Sequence, residues 1–400
     1  MKNSLQFRSK SHLVFPLLYL YFLLHVVIGL ERTLYANEFF TIVGLILSPI
    51  YVQRIYGFKQ YITRIQLSLT LLTLYIFLQL AGMSVRDISR NPYEVFRTLP
   101  FAYSFSCIFF GFYIFEKMEE RRLKKPYIFE RILGIASIFL GNKLSPTFAA
   151  IIGMRGLRHY KSIVSLILIF GAIFKTVFVY PDTKVTAALI ALIFIFFSFY
   201  RNLFLKILDG LSSIKSIFFV LVIIVLSSIL LKTKYQQFYS VGYEFFGNTI
   251  DVNTIWRGMF WVYSITRTVS ENFLFGIGFG TPLFDANDPQ VQFVIMSSPA
   301  DEHLPYTLSV HNALVYIFTR LGAVGFIIFF WFLLELFRSA FKILKRTGDF
   351  DYIYIGTLSI IISALFNVVV ETPLFAGIFW TSIGMMIALT YKFSTLSAIR

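Results

Sequence analysis

Ser309-Val310-His311-Asn312 marks the seam between the two kinds of sequence in this chain. Behind it, residues 312–337 are apolar but for Asn312, Thr319, Arg320 and Glu335. Such a run exceeds the roughly 20 residues that a helix needs to cross the hydrocarbon of a bilayer. Ahead of it, the stretch from Lys232 to Val310 is polar. It holds Trp256-Arg257 near its start, then Gly276-Ile277-Gly278-Phe279-Gly280, then an acidic run of Asp285, Asp288, Asp301 and Glu302 ending in His303. Almost all the remaining sequence is apolar enough to sit in lipid.

The composition agrees. Of 400 residues, 57% are hydrophobic, 19% aromatic and only 14% charged, too little charge to cover a soluble surface. Phe (48) and Tyr (23) suit membrane-facing surfaces and interfacial belts. Continuous apolar runs, rather than short alternating strands, exclude a β-barrel. The net charge of +15 would point to nucleic acid in a soluble protein. Here the basic residues fall in short segments between apolar runs, which is a topology signal, with lipid headgroups or a diphosphate as secondary partners. Cys107 is the single cysteine, so no intramolecular disulfide and no Cys-based metal site is expected.

Spanning runs occur at about 13–30, 39–56, 65–83, 99–115, 162–180, 185–200, 214–231, 312–337, 351–370 and 373–393. The first follows Lys2, Arg8 and Lys10 but is too long for a signal-peptide core, and is read as an uncleaved helix. Segment 127–154 is apolar, interrupted by Gly141-Asn142-Lys143 and Ser145-Pro146, and flanked on both sides by positive charge. It is expected to cross twice, as two short helices or as a re-entrant pair. The fold class is therefore all-α, a polytopic membrane protein of about 12 transmembrane helices with one large external loop. Residues 1–231 supply about nine helices, 232–311 the external loop, and 312–400 the last three, with both termini cytoplasmic. Within the loop, residues 255–272 have helical periodicity. Arg257, Trp261, Ser264, Thr268 and Glu271 share one face, and Trp256, Phe260 and Tyr263 another, as in a helix lying on the outer leaflet.

Few side chains here can carry chemistry. His311 stands near headgroup depth and can take a proton from a hydroxyl; the competing reading is that His311-Asn312 only caps the following helix. The forked guanidinium of Arg257 suits a phosphate or diphosphate, and Arg267 shares that character; either is otherwise a solvated loop arginine. Lys184 and Lys175 lie at or inside membrane ends, as functional groups or as snorkelling side chains. Arg320 lies nine residues past His311, about 13 Å deeper and on the opposite side of the helix, needing a carboxylate or a polar cavity. Glu371 could be that carboxylate or a plain loop acid. The acidic run fits no EF-hand or zinc spacing, and Gly276–Gly280 lacks a dinucleotide context and is read as a turn. No Walker motif occurs.

With these residues in view, the chain resembles the O-antigen ligase/polymerase superfamily of bacterial envelope glycan assembly. His311-Asn312, nine residues and Gly322-Ala323-Val324-Gly325 fit its pattern of His, a small polar residue, nine positions and Gly-x-x-Gly. Asn253-Thr254-Ile255-Trp256-Arg257, with Trp261 and the Phe-Leu-Phe-Gly-Ile-Gly-Phe-Gly turn, is similar to its Arg-containing stretch opening the large loop. The match spans roughly 180–380. One position departs: Asp182-Thr183-Lys184 carries lysine where the family has arginine, a point charge in place of a fork.

The resemblance implies a glycosyltransferase of the inner membrane that moves glycan from undecaprenyl diphosphate to an acceptor sugar on the outer face, without metal or other cofactor. His311 and Arg257 would be catalytic. Lys184, Arg267, Asn312, Arg320, Trp261 and Glu371 would bind diphosphate or glycan. The acceptor is either another lipid-linked repeat unit (a polymerase) or lipid A core (a ligase), with a chain-length regulator as a further partner and no role for nucleic acid. Asn367–Pro373 and Phe379-Trp380 look more like the polymerase branch. A flippase for the same lipid-linked glycan is the alternative of another class, disfavoured by the large loop and the absence of two similar halves.

Overall fold

The computed structural model describes residues 36–56, 64–84, 98–122, 214–233, 252–283, 310–347, 351–365 and 370–397, with isolated positions at 163, 167, 170, 171, 174, 203, 206 and 210. The expected helix at 13–30, the double crossing at 127–154, the helix at 185–200, most of 162–180, Lys175, Lys184 and the loop residues 284–309 lie outside the described residues. All regular secondary structure among the described residues is helical. In chain order it comprises α1 (Ala36–Tyr56), α2 (Arg64–Ser84), α3 (Pro100–Tyr103), a 3-10 turn (Ser104–Ser106), α4 (Cys107–Arg122), α5 (Ile214–Thr233), α6 (Val252–Asn272), α7 (Ala313–Thr347), α8 (Asp351–Ala364) and α9 (Pro373–Ser397).

Three of these are long and apolar enough to cross a membrane: Arg64–Gly82, Ile214–Leu231 and Ala313–Ile343. Shorter apolar helices run over Thr41–Val52, Pro100–Glu116 and Phe375–Tyr391. Ile46, Phe77, Phe219 and Leu230 are exposed on α1, α2 and α5, the pattern of side chains turned to lipid rather than water.

Two expected boundaries move. The run at 312–337 is a 35-residue helix that continues to Thr347. Apolarity ends at Arg338, but the helix does not, because long basic side chains can leave the bilayer while their backbone stays helical. Arg338 lies 3.9 Å from the buried Glu335, which Arg64 at the start of α2 also approaches at 3.4 Å. The run at 351–370, in contrast, yields a helix that stops at Ala364.

α7 is the central element. It packs against α2, α5, α6, α8 and α9. The Arg64–Glu335 pair at one level and a bond from Tyr75 Oη to the Leu321 carbonyl (2.6 Å) at another set α2 antiparallel to α7. α9 lies along α4, where Cβ atoms on Gly111 or Gly384 would collide with the backbone of Thr381 or Ile108. Small residues allow that approach, as is usual between membrane helices. Around it, Phe101, Phe105, Phe329, Phe379 and Trp380 pack edge to face, tilted or stacked, and Trp380 Nε1 donates to the Phe101 carbonyl at 2.9 Å.

Candidate functional site

α6 carries Arg257 and is built to be buried. The periodicity at 255–272 does produce a helix, beginning at Val252. It does not lie free on a leaflet, however: it packs against α5 and α7. Ser264 and Thr268, on the face expected to meet headgroups, are 0% exposed, and Phe260 on the other face is buried as well. Hydroxyls can turn inward because they bond to their own helix. Thr268 Oγ1 donates to the Ser264 carbonyl and Thr266 Oγ1 to that of Val262, each at 2.8 Å.

The glycine turn after α6 does more than reverse the chain. It docks into a break in α7. Gly322, inside that helix, has φ 66° and ψ −169°, which no helical residue adopts. The break frees carbonyls and amides of α7, and the turn takes them up. The Ile277 and Gly278 amides donate to the Thr319 and Arg320 carbonyls at 2.9 and 3.1 Å. In return, the Ala323 and Val324 amides donate to the Phe273 and Leu274 carbonyls at 2.9 and 3.1 Å. Gly276 and Gly322 face each other so closely that a Cβ on either would strike the other's backbone. Nine helical residues separate Asn312 from Gly322, so the turn sits about 13–15 Å inside the helix entrance. Irregular backbone at such depth needs every polar group satisfied by protein, and these reciprocal bonds do so.

Arg320 completes the joint. It is 2% exposed, and its Nη1 donates to the carbonyls of Gly278 (2.9 Å) and Thr281 (2.5 Å). Its guanidinium also lies over the Tyr316 ring, 5.8 Å from the centroid. Arg320 was expected to need a carboxylate or a polar cavity. Carbonyl oxygens of the glycine turn are its direct partners, and Glu371 acts on it electrostatically rather than as an ion pair within 4 Å. Arg267 is tied down nearby: its Nε pairs with Glu271 at 2.7 Å and its Nη1 donates to the Pro282 carbonyl at 3.0 Å. Gln79 Nε2 on α2 reaches the Phe275 carbonyl at 2.9 Å, and the Gly280 amide donates to Thr98 Oγ1 at 2.8 Å.

At the entrance to α7 the two halves of the His-Asn motif divide their tasks. Asn312 is the N-cap: its Oδ1 accepts the amides of Leu314 (2.9 Å) and Val315 (3.2 Å). His311 holds a left-handed backbone, φ 55°, rare for a residue with a side chain. It is half-buried beside Val310. Glu371, in the turn before α9, accepts the Val310 amide at 2.5 Å, and the amides of Asn312 and His311 act on the same carboxyl. Successive amides around a left-handed residue form such an anion-binding hollow. Burial nevertheless dominates and lifts the Glu371 carboxyl to about 8, with the three amides and Arg320 opposing.

A side-chain bond links the elements of the two candidate catalytic residues. Trp261 Nε1 donates to the Val310 carbonyl at 2.6 Å. Trp261 is one helical turn beyond the half-buried Arg257, and Val310 is the residue before His311. Gly258 and Asn312, next to Arg257 and His311 respectively, also line one cleft of about 350 Å³ between α5, α6 and the start of α7. That cleft is mainly aliphatic, walled by Ile223, Ile224, Val262 and Ile265, with Ser227, Ser228, Trp261 and Asn312 as its polar points.

Trp261, Arg320 and Glu371, expected to bind diphosphate or glycan, each bond to backbone. The pairing of the glycine turn with Gly322, Thr98 and Gln79 was not foreseen from the sequence. The two glycine clusters were its only visible signal. Residues 167–330 match the family model described as O-antigen ligase. No curated protein matches the chain. The matched segment contains Arg257, the glycine turn, His311-Asn312 and Gly322–Gly325, and over that stretch the chain is similar to the O-antigen ligase family.

Proposed function

We propose that this protein transfers a glycan from undecaprenyl diphosphate to the hydroxyl of an acceptor sugar at the outer face of the cytoplasmic membrane. The observation that supports it most is the Trp261–Val310 bond, which ties the helix of Arg257 to the turn of His311 inside the family segment. In the reaction, an acceptor oxygen bonds to the anomeric carbon while the bond from that carbon to the diphosphate oxygen breaks. The electron pair leaves with the diphosphate, and the configuration inverts. His311 takes the proton from the attacking hydroxyl, and Arg257 neutralises the charge that grows on the leaving group. Lys184, outside the described residues, is the second cation for the diphosphate. The aliphatic cleft beside Gly258 and Asn312 suits an apolar chain carried by donor or acceptor. No metal or nucleotide has a part in this scheme.

The acceptor is a second lipid-linked repeat unit, which makes the enzyme a surface-polysaccharide polymerase. The description of the matched family favours the second reading, a ligase acting on lipid A core. An envelope glycan profile of a deletion strain separates them. Loss of a polymerase leaves single repeats on lipid A core. Loss of a ligase leaves the core bare and long chains on undecaprenyl diphosphate. Unchanged surface glycans refute both and return attention to transport. His311→Ala and Arg257→Ala should each reproduce the deletion while the protein still inserts.

A further inference from the structure

The turn before α9 contains a buried acid that the transfer scheme does not use. We propose that Glu371 is a positioning residue that holds the left-handed His311 turn through the amides of residues 310–312, and thereby sets the imidazole against the acceptor. This rests on the functional reading above.

The geometry supports action through His311 rather than on a ligand. Glu371 is 9% exposed; its Oε2 accepts the Val310 amide, with those of Asn312 and His311 beside it, and its Oε1 is buried without a hydrogen bond. Val310 is clamped from both sides, since its carbonyl takes Trp261 Nε1 and its amide gives to Glu371. His311 follows at φ 55°, a conformation that a side-chain-bearing residue keeps only where its surroundings fix it. Glu371 also lies at the N-terminal end of α7, where a negative charge is favoured. The other groups that act on it are Arg320 and Tyr316 of α7, and Arg267 of α6 through its effect on Arg320. The carboxyl is lifted to about 8, so it gains its charge just above neutrality and then holds the amides more firmly.

The test compares wild type, Glu371→Gln and Glu371→Leu, purified in detergent with lipid-linked glycan donor and acceptor. His311→Ala is the control for the functional reading. Wild-type kcat should rise through a limb centred near pH 8. Glu371→Gln keeps one acceptor oxygen and should retain activity while losing that limb. Glu371→Leu keeps the bulk but no acceptor, and kcat should fall about 10–100-fold, the cost of a misplaced catalytic group, with donor KM within about twofold. Hydrogen exchange at residues 310–312 should be faster in Glu371→Leu. A Glu371→Gln profile that retains the limb, or a Glu371→Leu kcat equal to wild type, overturns the positioning role. Should Glu371→Leu fail to insert, the wild-type and Glu371→Gln profiles decide alone, and a wild type without the limb is enough to refute it. A wild type that transfers no glycan, or a His311→Ala that transfers as well as wild type, refutes the functional reading instead.

Discussion

Replacing Gly322 with alanine should unseat the glycine turn from α7. Gly322 sits at φ 66° and ψ −169°, a region open almost only to glycine. Forcing a side-chain-bearing residue there costs about 1–3 kcal/mol. The added Cβ would also meet the Gly276 amide and the Leu274 carbonyl, which are backbone and cannot swing aside. Relief requires the turn to retreat, which breaks the bonds from Ala323 and Val324 to Phe273 and Leu274. Each is worth about 0.5–1.5 kcal/mol net. The sum is about 2–6 kcal/mol, enough to lower the apparent melting temperature in detergent by about 5–10 °C. Gly82→Ala is the control, since nothing lies within 4 Å of a Cβ there. Thermal aggregation followed by size exclusion reads the stability, and proteolysis or hydrogen exchange over 273–280 reads the docking. Wild-type melting together with a protected turn in Gly322→Ala would refute the joint between the two glycine clusters.

Other substitutions probe neighbouring links. Trp261→Phe keeps the ring but removes the donor to Val310, leaving a carbonyl unpaired at a cost of about 1–3 kcal/mol; transfer should fall more than stability, as kcat against melting temperature will tell. Arg320→Leu strands the Gly278 and Thr281 carbonyls and should lower stability by about 3 kcal/mol or more, visible as poor accumulation in the membrane. Gly258→Ala should be neutral, whereas Gly258→Leu should crowd the cleft and raise the donor or acceptor KM with little change in melting temperature. Glu371 gives a pH signature in stability. Its folded value, raised to about 8 from 4.5, means that the folded protein holds a proton the unfolded chain releases. That contribution, on the order of a few kcal/mol, is full below about 4.5 and is lost as pH rises through about 8; melting scans of Glu371→Gln should lack the decline.

Those predictions fall mostly on contacts that hydropathy does not reveal. The apolar helices were legible because an apolar run of spanning length has few other uses, and α1, α2, α5, α7 and α9 start within about three residues of where their runs begin. The end of α7 was not, because hydropathy reports where lipid stops and not where helical hydrogen bonding stops. The helix of Arg257 was legible from its period, but the side it presents to its neighbours was misread. A stripe of Ser264 and Thr268 looks polar in sequence, yet hydroxyls satisfied by the preceding turn behave as small packing groups.

His311 and Arg257 stood out because few residues in so apolar a chain can move protons or meet phosphate. The link between their elements did not, because it runs through Trp261, whose indole N–H joins residues far apart in the chain. The backbone partners of Arg320 and Glu371 were hidden as well. A buried charge in a membrane protein signals that something must compensate it, and its identity alone does not say whether that is ligand or backbone. Here Arg320 faces carbonyls and Glu371 faces amides, the two complementary ends of opened peptide hydrogen bonding. Both openings exist for one reason: α7 is interrupted at Gly322 and entered through a left-handed His311. Arg320 and Glu371 supply the polar partners that these two irregular stretches of backbone need. Arg257 and His311 are carried on the elements so fixed.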